Sequence, residues 1–198
     1  MKIFTEKKAL ILTEAILTIS ILVTCAIIAG GMFTNAVNTT AVSKDFLIAN
    51  GLAIEGSEAV RNIVYTNKML HPNDKTCWLN LDPAVDNCGA KANAGSNYLP
   101  VEKADNSQTK GKWQLGNGNV KDLDLEKNQD VQNSYLLYID NVTKRYTTSA
   151  VNSVASKFYR SVKFSAVNDS YATFEIKVAW YEGAKAWSTT SVVDVVNQ

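Results

Sequence analysis

The residues of this sequence that could do chemistry are few. Cys77 and Cys88 stand eleven apart in KTCWLNLDPAVDNC. Such a pair can close a disulfide loop, stay as two thiols, or furnish half of a metal site, and sequence alone does not fix the geometry. No second half of a metal site is visible in sequence, and the one histidine, His71, reads as a solvent-exposed turn residue beside Pro72. Asp122, Asp124, Glu126 and Asp130 are spaced like calcium ligands, but the glycine and glutamate of an EF-hand are replaced by Lys127 and Asn133. No metal or other cofactor is therefore assigned, and Leu123 and Leu125, alternating with the acids, read as a half-exposed strand. Arg160 falls on the same face as Phe158, Val162 and Phe164, where it would pair with a buried carboxylate or lie at a sheet edge, with a ligand contact as the functional alternative. There is no nucleophile elbow, His-metal motif or phosphate loop, so an enzyme ranks last among the function classes.

Glu14 is the most informative of these residues, because of what surrounds it. It is the single charge in the 24 residues from Leu10 to Phe33. As a helix that stretch reaches ~36 Å, enough for a ~30 Å hydrocarbon core. Lys2, Lys7 and Lys8 flank its N-terminal side, so the positive-inside rule puts residues 1–9 in the cytoplasm and the rest outside. A secretory signal shares this pattern, but its apolar core is shorter and does not carry a carboxylate. A lone carboxylate in a membrane helix is costly and points to function. Cys25 reads as a small apolar residue of the span, with a lipidated cysteine as the alternative. Outside the cytoplasm disulfides persist, so a Cys77–Cys88 bridge, which would add about 2–3 kcal/mol, is the expectation.

The elements that position these residues follow from periodicity. No proline precedes Pro72. Val42, Phe46, Ala49, Ala53, Gly56, Val60 and Ile63 form one helical stripe, while Lys44, Asp45, Asn50, Glu55, Ser57, Glu58, Arg61 and Asn62 lie on other faces. A helix is thus predicted from about Leu10 to about Asn67, against a reading in which Gly30-Gly31 and the Thr34–Thr40 stretch break it. Residues 70–133 are rich in Asn, Asp, Lys and Gly and predict loops with short strands. Residues 134–198 predict an antiparallel sheet: 135–139 and 142–147 around an Asp140-Asn141 turn, then 158–167, 171–181 and 186–196. Ala172, Phe174, Ile176, Val178 and Trp180 would face a helix. The fold class is α+β. With 20 basic and 19 acidic side chains, no broad surface for nucleic acid is offered.

The segment Lys7-Lys8-Ala9 followed by Leu10-Ile11-Leu12-Thr13-Glu14 resembles a type IV prepilin. In that family a prepilin peptidase cuts after a small residue, usually Gly, and the new N-terminus is methylated. The fifth mature residue is Glu. The resemblance implies cleavage between Ala9 and Leu10, N-methylation of Leu10, and pairing of Glu14 with the terminal amine of a neighbouring subunit. Ala9 stands where Gly is usual, and Leu10 where Phe or Met is usual. Ala53, Glu55, Gly56, Glu58, Ala59, Val60, Arg61 and Asn62 also match a run found in minor pilins of the V-like type. Less specifically, 157–160 and 178–180 are similar to the C-terminal halves of such pilins.

The resemblance implies a leader (1–9), a membrane or filament-core helix (10–33), its amphipathic continuation (34–69), and a head with a loop region (70–133) and a sheet (134–198). It implies a structural subunit that sits in the inner membrane and then in an extracytoplasmic filament, with prepilin peptidase, other pilin subunits and the assembly machinery as partners. A type II secretion pseudopilin and a membrane-anchored binding module that never polymerises are the competing readings.

Overall fold

The computed structural model describes residues 3–74, 76–83, 88–102, 113–116, 121–127 and 129–197, without the side chains of 3–12 and 129–131. One helix and one main antiparallel sheet account for most of it, an α+β arrangement. The chain divides into two units, residues 1–45 and 46–198.

Helix α1 spans Ile3–Leu70. It starts before the expected Leu10 and runs unbroken through Gly30-Gly31 and the Thr34–Thr40 stretch. Isolated glycines and threonines cost helix stability only in small increments, and long flanking runs of good formers outweigh them. The helix closes with the His71 amide donating to the Asn67 carbonyl at 2.9 Å, and Pro72 follows, which cannot continue it.

In the second unit, strands β1 (Asn97–Tyr98), β2 (Pro100–Glu102) and β3 (Trp113–Leu115) precede a 3-10 helix, Gln129–Tyr135. Then come β4 (Leu136–Asp140), β5 (Tyr146–Thr147), β6 (Ser153–Val167), β7 (Tyr171–Glu182) and β8 (Lys185–Val196). The main sheet has the order β5-β4-β6-β7-β8. The long strand β6 shares one edge between two partners. Its first part pairs with β4, Asp140 opposite Ser153, and its later part with β1, Tyr98 opposite Val162. One of the short strands expected in the loop region thus joins the main sheet. β2 and β3 form a separate two-stranded ribbon.

The alternation in β7 works as its pattern predicts. Ala172, Phe174, Ile176, Val178 and Trp180 are all fully buried. They pack with Phe158, Val162 and Phe164 of β6 against Ala49, Leu52, Ala53, Val60, Ile63 and Val64 of α1. Most of the expected helical stripe lies in this core, but Phe46 remains 45% exposed and meets Trp180 edge-on at 6.3 Å. Asp45 and Ser57, expected on outer faces, are buried; Ser57 achieves this by donating to the Ile54 carbonyl.

Three further expectations are corrected. Residues 122–126 form no strand: Leu123 and Leu125 are buried from a turn-rich segment laid on the opposite face of the sheet, with Tyr135 and Ala179. Their alternation reflects burial against that face rather than extended pairing. The hairpin after β4 is wider than a two-residue turn, because the Asp140 carboxylate accepts from the Val142 and Thr143 amides and holds the chain in a loop until Tyr146. β6 begins at Ser153, five residues before the expected start.

Candidate functional site

Every residue from 13 to 41 is exposed. Among them are Ile16, Leu17, Ile19, Ile21, Leu22, Val23, Ile27, Ile28, Met32, Phe33 and Val37, so α1 is apolar all round rather than on one stripe. It is the helix among the described residues that is long and apolar enough to cross a membrane. Apolar surface on this scale must be covered by lipid or protein.

The polar side chains inside this stretch are arranged for a dry environment. Ser and Thr hydroxyls fold back onto carbonyls one turn earlier: Thr18 to Ala15, Ser20 to Ile16, Thr24 to Ser20, Thr34 to Gly30, Thr39 to Asn35 and Thr40 to Ala36, at 2.8–3.0 Å. Each donor is satisfied within the helix, so burying it in hydrocarbon exposes no lost hydrogen bond. Glu14 is the one ionisable carboxylate of this stretch. It is exposed, and among the described residues no cation pairs with it. Ala9 and Leu10 lie within α1, but their side chains fall outside the described residues. Cys25 is a free, exposed thiol on the same apolar surface.

The second unit holds the other residues singled out by sequence. Cys77 and Cys88 form a disulfide, with Cα atoms 5.0 Å apart. The bridge fastens the segment that follows α1, and Asn67 on the last turn of α1 fastens it again by donating to the Trp78 and Asn80 carbonyls. His71 is half-buried rather than solvent-exposed, because the polypeptide turns back over the helix end. Asp124 accepts from the Glu126 and Lys127 amides, and Asp122 pairs with Lys163 at 2.9 Å. Asp130 lies outside the described side chains.

Arg160 is not at an edge. It sits on the central strand β6, 2% exposed, and its Nη1 donates to the Leu52 carbonyl at 3.2 Å and to Glu55 Oε1 at 3.1 Å. Burial pulls its pKa down, and the Glu55 charge opposes that. Gly56 makes this possible. A Cβ there would lie 3.0 Å from Ile176 Cγ2 and 3.2 Å from Arg160 Cδ. The Glu55-Gly56 pair is thus read by the sheet: one residue neutralises the buried guanidinium and the next leaves room for it. Sequence gave the carboxylate alternative for Arg160 but not the partner. An open cleft of about 700 Å³ beside Glu55 is lined also by Glu102, Trp113, Asp140, Arg145 and Tyr146; of its three carboxylates Glu55 pairs with Arg160 and Asp140 holds the hairpin loop.

No family model matches the chain, and no curated protein and no solved structure is significantly similar to it.

Proposed function

We propose that the chain is a structural subunit of a type IV pilus-like filament, of the minor-pilin kind. The observation that carries this reading is the division of labour along α1. Its N-terminal stretch offers apolar surface on all sides with self-satisfied hydroxyls and one unneutralised carboxylate, and its C-terminal stretch packs on an antiparallel sheet. The first suits insertion in the inner membrane and then packing in a helical bundle, and the second carries a head.

In this reading prepilin peptidase cleaves between Ala9 and Leu10, and Leu10 is N-methylated. The new α-ammonium and Glu14 solve one electrostatic problem together. Each is costly alone in a dry bundle, and a neighbour's amine is the natural partner for the carboxylate. The pairing sets the axial register between subunits, and the other partners are fellow pilin subunits and the assembly machinery. Removal of residues 1–9 leaves 17 basic and 18 acidic side chains, so the reading does not invoke nucleic acid.

The test is intact mass and N-terminal peptide mapping of the protein from its own host. Loss of residues 1–9 with a methylated Leu10 supports the reading, and Glu14→Ala should then abolish incorporation into filaments while leaving membrane insertion intact. An intact N-terminus would refute it in favour of an anchored binding module. Cleavage beyond Phe33, or a lipid on Cys25, would indicate an ordinary export signal. Co-purification with a secretion apparatus rather than a surface filament would place the chain among the pseudopilins.

A further inference from the structure

The disulfide region contains more ligating chemistry than a disulfide needs. Three backbone hydrogen bonds follow one another immediately after α1: the Asp74 amide to the His71 carbonyl, the Cys77 amide to the Asp74 carbonyl, and the Asn80 amide to the Cys77 carbonyl, at 3.0–3.2 Å. Chained i→i+3 turns bring residues three apart onto one side, as in a 3-10 helix. His71, Asp74 and Cys77 have that spacing. A ring nitrogen of His71 and the sulfurs of Cys77 and Cys88 all lie within 4.8 Å of one another.

Two of these groups also have unspent capacity. His71 Nε2 is buried without a hydrogen-bond partner, a condition that normally costs free energy. Asp74 Oδ1 is occupied by the Thr76 amide and hydroxyl, at 2.8 and 2.7 Å, while Oδ2 lies 3.5 Å from Cys88 Sγ. Tetrahedral zinc, with bonds of about 2.3 Å to sulfur and about 2.0–2.2 Å to nitrogen and oxygen, sets its ligand atoms roughly 3.3–3.8 Å apart. His71 and the two sulfurs lie within 4.8 Å of one another, and the Asp74 carboxylate reaches Cys88 Sγ at 3.5 Å, so side-chain rotation brings the four to that scale. Breaking the S–S bond frees the two sulfurs to move to the ~3.8 Å separation of two zinc-bound thiolates, which side-chain rotation can supply.

We propose that, when the Cys77–Cys88 disulfide is reduced, His71, Asp74, Cys77 and Cys88 bind one zinc ion. The segment after α1 is thus held in either state, by the Cys77–Cys88 bridge when oxidised and by the metal when reduced. The balance is simple. A dithiol donates two electrons and two protons to the disulfide and becomes a disulfide itself. Zinc then displaces the two thiol protons to solvent, and the neutral imidazole and the carboxylate complete the shell.

The experiment uses the full chain in detergent micelles, with Cys25→Ser throughout so that the third thiol cannot contribute. The protein is reduced with a phosphine and titrated with Zn²⁺ against a chromophoric chelator, and with Co²⁺ as a spectroscopic probe. One equivalent should bind, with thiolate-to-cobalt charge transfer and the intense ligand-field bands of tetrahedral coordination. His71→Ala should weaken binding at least about tenfold, and Asp74→Asn by a smaller factor. The oxidised protein should bind neither metal. Failure of the reduced protein to take one equivalent, equal uptake by oxidised protein, or an unchanged affinity in His71→Ala would each overturn the proposal. Tryptophan fluorescence is followed in parallel. If the reduced apoprotein loosens, zinc must restore the native signal, and failure to do so also overturns it.

Discussion

The Arg160–Glu55 pair makes an asymmetric prediction. The guanidinium is 2% exposed and the carboxylate 41% exposed, so the two partners differ in what they leave behind. Glu55→Ala strands a charge in the core with only the Leu52 carbonyl for company. Removing one member of a buried pair costs about 3–5 kcal/mol, and the partial access of water to the Glu55 side places this case near ~3 kcal/mol. Arg160→Met strands nothing. The Glu55 carboxylate turns to water, Leu52 keeps its helical bond, and a flexible thioether of similar length fills most of the vacated space. That change should stay within about 1 kcal/mol of the parent. At about 2 kcal/mol per molar, the urea midpoint moves by about 1.5 M for Glu55→Ala and by less than about 0.5 M for Arg160→Met. Fluorescence of the detergent-solubilised chain reads this directly, since Trp180 is fully buried beside the pair. The double variant should recover most of what Glu55→Ala loses. Equal losses for the two single variants would refute the reasoning, because the pair would then matter for its contacts and not for its stranded charge.

Other expectations follow from neighbouring features. Gly56→Ala should destabilise by about 1 kcal/mol net, since overpacking against Ile176 and Arg160 costs about 1–3 kcal/mol and alanine returns about 1 kcal/mol of helix propensity; Gly51→Ala, which meets nothing within 4 Å, should stabilise. Burial raises the Tyr135 pKa from 10.0 to about 12, with the Asp122 charge adding to it. The folded state holds that proton more tightly, so its stabilisation is complete below pH 10 and disappears as pH rises through 12; Tyr135→Phe should flatten this alkaline limb in pH-dependent urea titrations. The bond from Lys163 holds the Asp122 carboxyl below its ordinary value of 3.8. That contribution is present above pH 3.8 and lost as pH falls through the lowered value, so Lys163→Met should remove a small acid-limb slope, under about 1 kcal/mol for so exposed a pair.

What was legible in the sequence depended on how many residues carried each signal. The β7 alternation is five buried positions long, and a one-residue slip would turn all of them to the other side, so its register could be read directly. The long helix was similarly over-determined. Leu123 and Leu125 gave only two positions, and two alternating leucines fit a strand or a turn segment pressed on a sheet equally well. The loop after β4 escaped because one side chain, Asp140, captures two amides and overrides a plausible tight turn. His71 was misread because its burial comes from chain that returns over the helix end, which no local pattern records. The partner of Arg160 lies 105 residues away, and nothing in its own strand names Glu55.

The glycines of α1 show how one helix is written for two surroundings. Gly30, Gly31 and Gly51 meet nothing within 4 Å, so no neighbouring group of this chain needs their lack of a side chain. Gly56 is different, because the sheet closes to contact distance there and a methyl group would collide with a fully buried isoleucine. Around it Ala49, Ala53 and Ala59 are also small and buried, so the helix surface facing the sheet is low along this stretch and bulk is supplied from the sheet by Phe158, Ile176 and Trp180. Residues 13–41 follow the opposite rule: large aliphatic side chains point outward in every direction, and Ser and Thr hydroxyls are turned back on their own backbone. A helix meant for water along that length would carry charges on at least one face. Against such a background the carboxylate at Glu14 meets no cation among the described residues, and a charge brought by another subunit is the partner the proposed function requires.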